Sequence, residues 1–283
     1  MSKDLHSPVS LKMDTIFLKL GGSLITDKTE AESVRRDVLT RLAAEIAEAR
    51  RKNGSLRLLL GHGSGSFGHV AAAKHGTRQG VATPAGWRGF AEVGDAAARL
   101  NRLLMTALLA AGLPAVSLPP SASAVCKNGR IQQIGVENVA AALDAGLLPV
   151  VYGDVAFDSV RGGTIVSTEE VMMAMVGRLR PSWLLLAGET AGVYDRQQQV
   201  IPTISQTNYA EVATVLGGSR GTDVTGGMAS KVQGMLSLLE QFPHLSIRIF
   251  SGLESNNVRQ TLLNPAQAGG TLLQTAPIVN PKS

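Results

Sequence analysis

Lys19 stands inside an otherwise apolar run, TIFLKL at residues 15–20, and is followed at once by Gly21, Gly22 and Ser23. An ammonium there can neutralise a polyanion, while glycines without side chains let backbone N–H groups approach it. Three further segments have the same character: Gly61 to His69 (GHGSGSFGH), Ala187 to Asp195, and Gly221 to Lys231. The last delivers Thr225, Gly226 and Gly227 into a helix start, with Lys231 one turn inside. Glycine loops and helix N-termini at the carboxyl ends of parallel strands are where α/β proteins collect phosphates. Lys28 adds a second cation near the first segment, and His69, closing the glycine run, can donate a hydrogen bond to a bound oxyanion. Taken singly, each feature also has a purely structural reading: a strand-end turn with a snorkelling lysine, a packed histidine at His62, a capped helix near Gly227.

Two common nucleotide signatures do not account for the pattern. Gly63, Gly65 and Gly68 satisfy G-x-G-x-x-G, but a dinucleotide site also needs an uninterrupted helix and an acidic residue ending the next strand. Here Gly76, Gly80, Pro84 and Gly86 interrupt the region, and Glu92 and Asp95 fall inside a helical pattern. No G-x-x-x-x-G-K-[ST] loop occurs, so a nucleotide must use another cradle.

Bulk composition narrows the class. With 283 residues, 44% of them hydrophobic, the chain can bury a large core. The net charge of +5 invites a nucleic-acid reading, yet the basic residues are scattered among acidic neighbours and only 4% of residues are aromatic, too few for a stacking platform. Nucleic acid is therefore not expected as a partner. Cys126 is the sole cysteine, which excludes an intramolecular disulfide and fits a reducing compartment. No run of about 18 apolar residues is present, and residues 1–14 lack the apolar stretch of a signal peptide, so a soluble, cytoplasmic protein without membrane partners is expected.

The elements that must position these residues follow from periodicity. Strands are predicted at 15–20, 56–61, 114–118, 148–152, 182–187, 199–202 and 246–250, with a hairpin of 155–158 and 164–166 around Arg161, Gly162 and Gly163. Helices are predicted at 31–52 (Val34, Val38, Leu39, Leu42, Ile46), 87–111 (Phe90, Val93, Ala97, Leu100, Leu104, Leu108), 136–145, 168–178, 208–216 and 228–240. Strands alternating with helices imply a mainly parallel sheet covered on both faces.

The blocks FLKLGGSLITDK (17–28), GHGSGSFGHVAAAKHG (61–76), LLPVVYGDVAFDSVRGGTIVST (147–168), GVYDR (192–196), DVTGGMASKV (223–232) and SGLESNN (251–257) together resemble the amino acid kinase family, and within it the isopentenyl phosphate kinases. The resemblance runs from about Thr15 past Asn257. It implies a three-layer α/β/α sandwich as a single domain over 15–283 after a flexible extension at 1–14. The acceptor lobe would span about 15–180 and the nucleotide lobe about 181–283, and the assembly would be a homodimer.

By resemblance, Lys19, Gly21, Gly22 and Ser23 hold ATP phosphates, and Lys28 lies near the transferred group. His69 binds the acceptor phosphate, Gly63, Ser64 and Gly68 give backbone contacts to the two phosphates, with Ser64 on the ATP side and Gly63 and Gly68 on the acceptor side, and Gly227 and Lys231 belong to the nucleotide side. Gly153 and Thr168 fall on the acceptor side. Glu189 stands where the family commonly has an aspartate near the nucleotide, and Ser167, Thr168 and Glu169 stand where many relatives read Ser-Gly-Asp.

The implied activity is phosphoryl transfer from ATP, with Mg²⁺, to a small-molecule phosphate acceptor, isopentenyl phosphate. A phosphate acceptor is largely deprotonated at neutral pH, so no general base is required, and Lys19, Lys28, His69 and Lys231 would serve by orienting and neutralising. Mg²⁺ would arrive on ATP with most of its water. Phe90, Val93, Ala97, Leu100 and Met105 are candidates for an apolar tail pocket or for ordinary core. Two alternatives stay open: a phosphonate acceptor such as fosfomycin, and a non-catalytic nucleotide-binding protein on the same fold.

Overall fold

The computed structural model of the protein describes residues 14–216 and 227–275; residues 1–13, which make up all but the last residue of the extension expected at 1–14, residues 217–226 and residues 276–283 lie outside the described residues. The chain opens with β1 (Thr15–Leu20), a one-turn helix α1 (Gly22–Ile25), a small hairpin of β2 (Thr26–Asp27) and β3 (Ser33–Val34), helix α2 (Arg36–Lys52) and β4 (Arg57–His62). Next come α3 (Gly65–His75), α4 (Pro84–Ala110), β5 (Ala115–Ser117), the hairpin β6 (Val125–Lys127) and β7 (Arg130–Gln133), and α5 (Glu137–Asp144). These lead to β8 (Leu148–Tyr152), the hairpin β9 (Asp154–Asp158) and β10 (Gly162–Val166), and α6 (Thr168–Leu179). The remainder is β11 (Trp183–Gly188), β12 (Thr203–Ile204), α7 (Gln206–Leu216), α8 (Gly227–Gln241), β13 (Ser246–Ser251), α9 (Asn257–Leu263) and β14 (Thr271–Leu273).

Eight strands form one sheet in the order β12-β14-β13-β11-β1-β4-β8-β5, and β10-β9-β6-β7 form a second, smaller one. β1 lies parallel to both β4 and β11, so the central strand is buried on both faces, which is why it reads as a continuous apolar run. The antiparallel pair in the large sheet is β13 with β14.

Strand alternation sends successive side chains to opposite layers. Ile16, Leu18 and Leu20 join Leu42 and Ile46 of α2 and Leu100 and Leu104 of α4 in one core. Phe17 instead joins Met172 and Met175 of α6 and Val232 and Leu236 of α8 in the other. These two cores on either side of the sheet make the three-layer α/β/α sandwich. By the same parity Lys19 leans towards the layer of α6 and α8.

Several boundaries differ from the periodic reading. Val34 is not part of a helix: Thr26 pairs with Val34 and Asp27 with Ser33, so α2 starts only at Arg36. α4 starts at Pro84 because the Thr83 side chain accepts a hydrogen bond from the Gly86 N–H and proline suits the first helical position. The glycine run turns directly into α3, a helix of small residues with no apolar stripe to announce it. Residues 199–202 hold an isolated bridge of Tyr194 with Val200, the strand proper being β12 just after it.

Candidate active site

The parallel strands β1, β4, β8, β11 and β13 all end at one edge of the sheet; a glycine follows β1, β4, β8 and β13 there, and Gly188 is the last residue of β11. The loops continue the ladder of the strands. Gly21 N–H donates to the Ala187 carbonyl (2.8 Å), Gly63 N–H to Leu20 (3.0 Å), Gly153 N–H to His62 (3.2 Å) and Gly252 N–H to Gly188 (2.8 Å). The turn after β1 and the turn after β4 meet backbone to backbone: a Cβ on Gly22 would stand 2.4 Å from the Gly65 nitrogen. Gly65 itself has φ +50°, and a Cβ there would fall 2.1 Å from Thr26 Oγ1. The fully buried Thr26 hydroxyl joins the two turns, donating to the Gly22 carbonyl (2.8 Å) and accepting from the Ser66 N–H (3.0 Å).

Lys19 projects from the end of β1 and donates to Glu169 Oε1 at 2.5 Å. The lysine side chain is 15% exposed and the glutamate 20%. Burial pushes the Glu169 carboxyl up, but the Lys19 ammonium beside it, its hydrogen bond and the charge of Lys231 outweigh that and hold it below the usual carboxylate range. Glu169 is thus an ionised carboxylate acted on by both lysines, one from β1 and one from a turn inside α8. It is delivered by the start of α6, where Ser167 and Glu170 form a reciprocal capping box that fixes the helix end.

Among the residues expected at the site, Lys19, Gly21, Gly22, Gly63, Ser64, Gly153, Thr168 and Glu189 gather at this edge, and Lys231 reaches it through Glu169. Ser23 lies in α1. Gly68 lies one turn into α3, where a Cβ would stand 2.3 Å from Ser64 Oγ. Thr168 is committed to the scaffold: its buried hydroxyl donates to the His62 carbonyl at 2.6 Å, bracing α6 against β4. Glu189 pairs with Arg35 at 3.0 Å. Lys28 is exposed in the loop of the β2–β3 hairpin. His69 falls within α3, with its side chain outside the described residues, and Gly227 opens α8; Asp223 to Gly226 lie outside the described residues.

His62 is a core histidine. Its ring is fully buried, stacks on Tyr152 at 5.2 Å and faces Asn101 Oδ1 (3.2 Å) and the Gly63 carbonyl (3.1 Å). Burial pushes its pKa down to about 4, so it is neutral at physiological pH. Of the candidate tail residues, Leu100 and Met105 belong to the core shared with α2. Phe90 instead clusters with Trp87 and Phe157 near the surface. The residue that sequence reasoning undervalued is Glu169. Two successive glutamates after a capping serine are its one local signal: Glu170 completes the cap, leaving Glu169 free to face elsewhere.

A parallel sheet whose strand ends carry facing glycine turns, with two lysines acting on one carboxylate, defines an α/β protein built to handle phosphates. Residues 14–251 match the amino acid kinase family, and the chain belongs to that family. It is 34% identical over 264 residues to the isopentenyl phosphate kinase of Methanothermobacter thermautotrophicus, covering 90% of this chain and 97% of that one. It is 37% identical over 232 residues to that of Haloferax volcanii, covering 80% and 89%. A crystal structure of isopentenyl phosphate kinase superposes with a TM-score of 0.77 at 31% identity, covering 92% of this chain and 100% of the other.

Proposed function

We propose that this protein transfers the γ-phosphoryl group of ATP to isopentenyl phosphate, giving isopentenyl diphosphate and ADP. The observation that carries the reading is the Lys19–Glu169 pair, with Lys231 acting on the same carboxylate, beside two glycine turns in backbone contact. The names of the relatives supply the acceptor.

In this reading an oxygen of the acceptor monophosphate attacks the γ-phosphorus while the bond to the β-phosphate oxygen breaks, and ADP leaves. Both partners are anionic, so the chain's task is to hold them in line and offset their repulsion. Lys19 and Lys231 are cast as the cations on the transferring phosphates, with Glu169 keeping the Lys19 ammonium aimed at the strand end. The N–H groups around Gly21, Gly22, Gly63 and Ser64 would line the phosphates. Lys28 would stabilise the transferring group, and His69 would orient the acceptor phosphate by donating a hydrogen bond. Glu189 and Gly227 fall to the nucleotide lobe (about 181–283), and Gly68, Gly153 and Thr168 to the acceptor lobe (about 15–180), with Thr168 acting through its brace on His62.

Glu169 and Glu189 are both engaged by cations, and the described residues hold no cluster of His, Cys, Asp or Glu suited to a metal. Mg²⁺ would be held by the ATP phosphates and water, supplying charge neutralisation. No helix among the described residues is long and apolar enough to cross a membrane. A cytoplasmic homodimer is the assembly proposed.

The test is an acceptor panel. With ATP and Mg²⁺, isopentenyl phosphate is expected to give the diphosphate, and His69→Ala to cut acceptor use sharply while ATP affinity stays near the parent value. Turnover of a phosphonate with none of isopentenyl phosphate, or ATP binding without transfer to any acceptor, would overturn the reading.

A further inference from the structure

Lys28 is carried by the smallest element of the fold. The β2–β3 hairpin has two residues in each strand, and Lys28 is the first residue of the loop between them. A ladder that short cannot hold itself in water. Its root is fastened by Thr26 to both glycine turns, and the Arg35 N–H donates to the Ile25 carbonyl at 2.9 Å. Asp27 turns the chain just beyond Lys28, its carboxylate accepting from the N–H (2.9 Å) and hydroxyl (2.7 Å) of Thr29.

The far side of the loop ends at Glu32, which has φ +54°, an unfavourable backbone region for a residue with a Cβ. Its carboxylate is gripped by Arg99 of α4 with two prongs, Nη2 to Oε1 and Nε to Oε2, the second at 3.2 Å. Asp95, one turn earlier on α4, pairs with Arg99 Nη1 and so fixes the guanidinium from its other side. On the opposite flank Arg35 pairs with Glu189 beyond β11. The hairpin is strung between α4 and the β11 loop, with Lys28 in the span.

We propose that Glu32 and Arg99 are positioning residues for phosphoryl transfer: their two-pronged ion pair latches the Lys28 hairpin to α4 and so limits where the Lys28 ammonium can reach. The inference rests on the reading above, in which Lys28 stabilises the transferring group. A two-pronged arginine–carboxylate pair within a small charge network is the kind of surface ion pair that has measurable strength. Without it, the left-handed backbone at Glu32 loses the ion pair that offsets its strain, and the loop relaxes.

The experiment compares Glu32→Gln and Arg99→Gln with the parent enzyme, each also made in a Lys28→Ala background. Both single variants are expected to lower kcat about three- to fivefold while KM for ATP and for isopentenyl phosphate moves less than about twofold. The deficit should shrink at about 0.5 M salt, where exposed pairs are screened. With Lys28 absent, neither substitution should lower kcat further. Amide hydrogen exchange over residues 26–34 should rise in both variants while the rest of the sheet is unchanged. Equal losses of kcat with and without Lys28 would make the pair merely structural and overturn the proposal, as would parent-like exchange at 26–34. Should the parent fail to phosphorylate isopentenyl phosphate, the substrate reading falls and the exchange measurement still decides the latch.

Discussion

Replacing Gly65 by alanine tests the contact between the two glycine turns most directly. The new Cβ would stand 2.1 Å from Thr26 Oγ1 and 2.8 Å from the Gly22 carbonyl oxygen, at a φ of +50°. Neither neighbour yields cheaply: Thr26 is fully buried with its hydroxyl in two hydrogen bonds, and the other atom is backbone. The 2.1 Å approach must lengthen by at least about 1 Å before it becomes an ordinary C···O contact.

The left-handed backbone costs an alanine roughly 1–2 kcal/mol and the forced repacking about 1–3 kcal/mol. Set against this is roughly 0.4–1 kcal/mol from a less flexible unfolded chain. The net loss is about 2–4 kcal/mol, which lowers Tm by roughly 4–12 °C in a chain of this size. Moving the turns apart by about 1 Å would also displace the proposed phosphate cradle, a misplacement worth on the order of 100-fold in rate.

Gly112→Ala is the matched control, since Gly112 has φ +78° with nothing within 4 Å of its Cβ position. It carries the backbone strain without the collision and should lose about 1 kcal/mol or less, with activity unchanged. Thermal unfolding and steady-state kinetics of both variants decide the matter. If Gly65→Ala were as stable as Gly112→Ala and kept kcat/KM within about twofold of the parent, the packed-turn account of the cradle would be wrong.

Two further outcomes follow from charge. Glu169→Gln leaves the mostly buried Lys19 ammonium without its carboxylate and is expected to cost about 1–3 kcal/mol of stability and at least about tenfold in kcat, measured by denaturant titration and initial rates. Because the Glu169 pKa is held down in the fold, its contribution is present above the ordinary value of 4.5 and is lost as pH falls below it, so parent and variant should converge in acid. Asp158 accepts four backbone N–H bonds, from Asn128, Gly129, Val160 and Arg161. Burial pushes its pKa up, yet those donors hold it at about 2. Asp158→Asn should cost about 2–3 kcal/mol at neutral pH. The parent's advantage should fade between the ordinary value of 3.8 and about 2; a constant gap across that window would contradict the assignment.

What was legible in the chain depended on whether its cause was local. α2 and α4 carry apolar stripes because one face of each packs on the sheet, and their middles are readable for that reason. Their starts are not: Val34 fits the α2 stripe yet belongs to β3, since Thr26, eight positions earlier, claims it as a ladder partner. α3 has small residues and no stripe, and its packing rests on close approach to α4, where a Cβ on Gly89 would stand 2.4 Å from the His75 ring. β14 is three residues long, too short to show an alternating pattern, and is placed by pairing with β13.

By itself the sequence determined the fold class, the buried strands, the spacing of the glycines after them and the presence of lysines fit for phosphate, because strand burial and turn chemistry act on neighbouring residues. It also set, through the two-residue period of β1, the side of the sheet to which Lys19 points. Only the tertiary structure decided that Lys19 meets Glu169, 150 positions away, that Thr26 ties the two glycine turns together, and that Glu32 is gripped by Arg99. Contacts between distant segments are fixed by how layers pack, and packing leaves no periodic trace at either end of the pair.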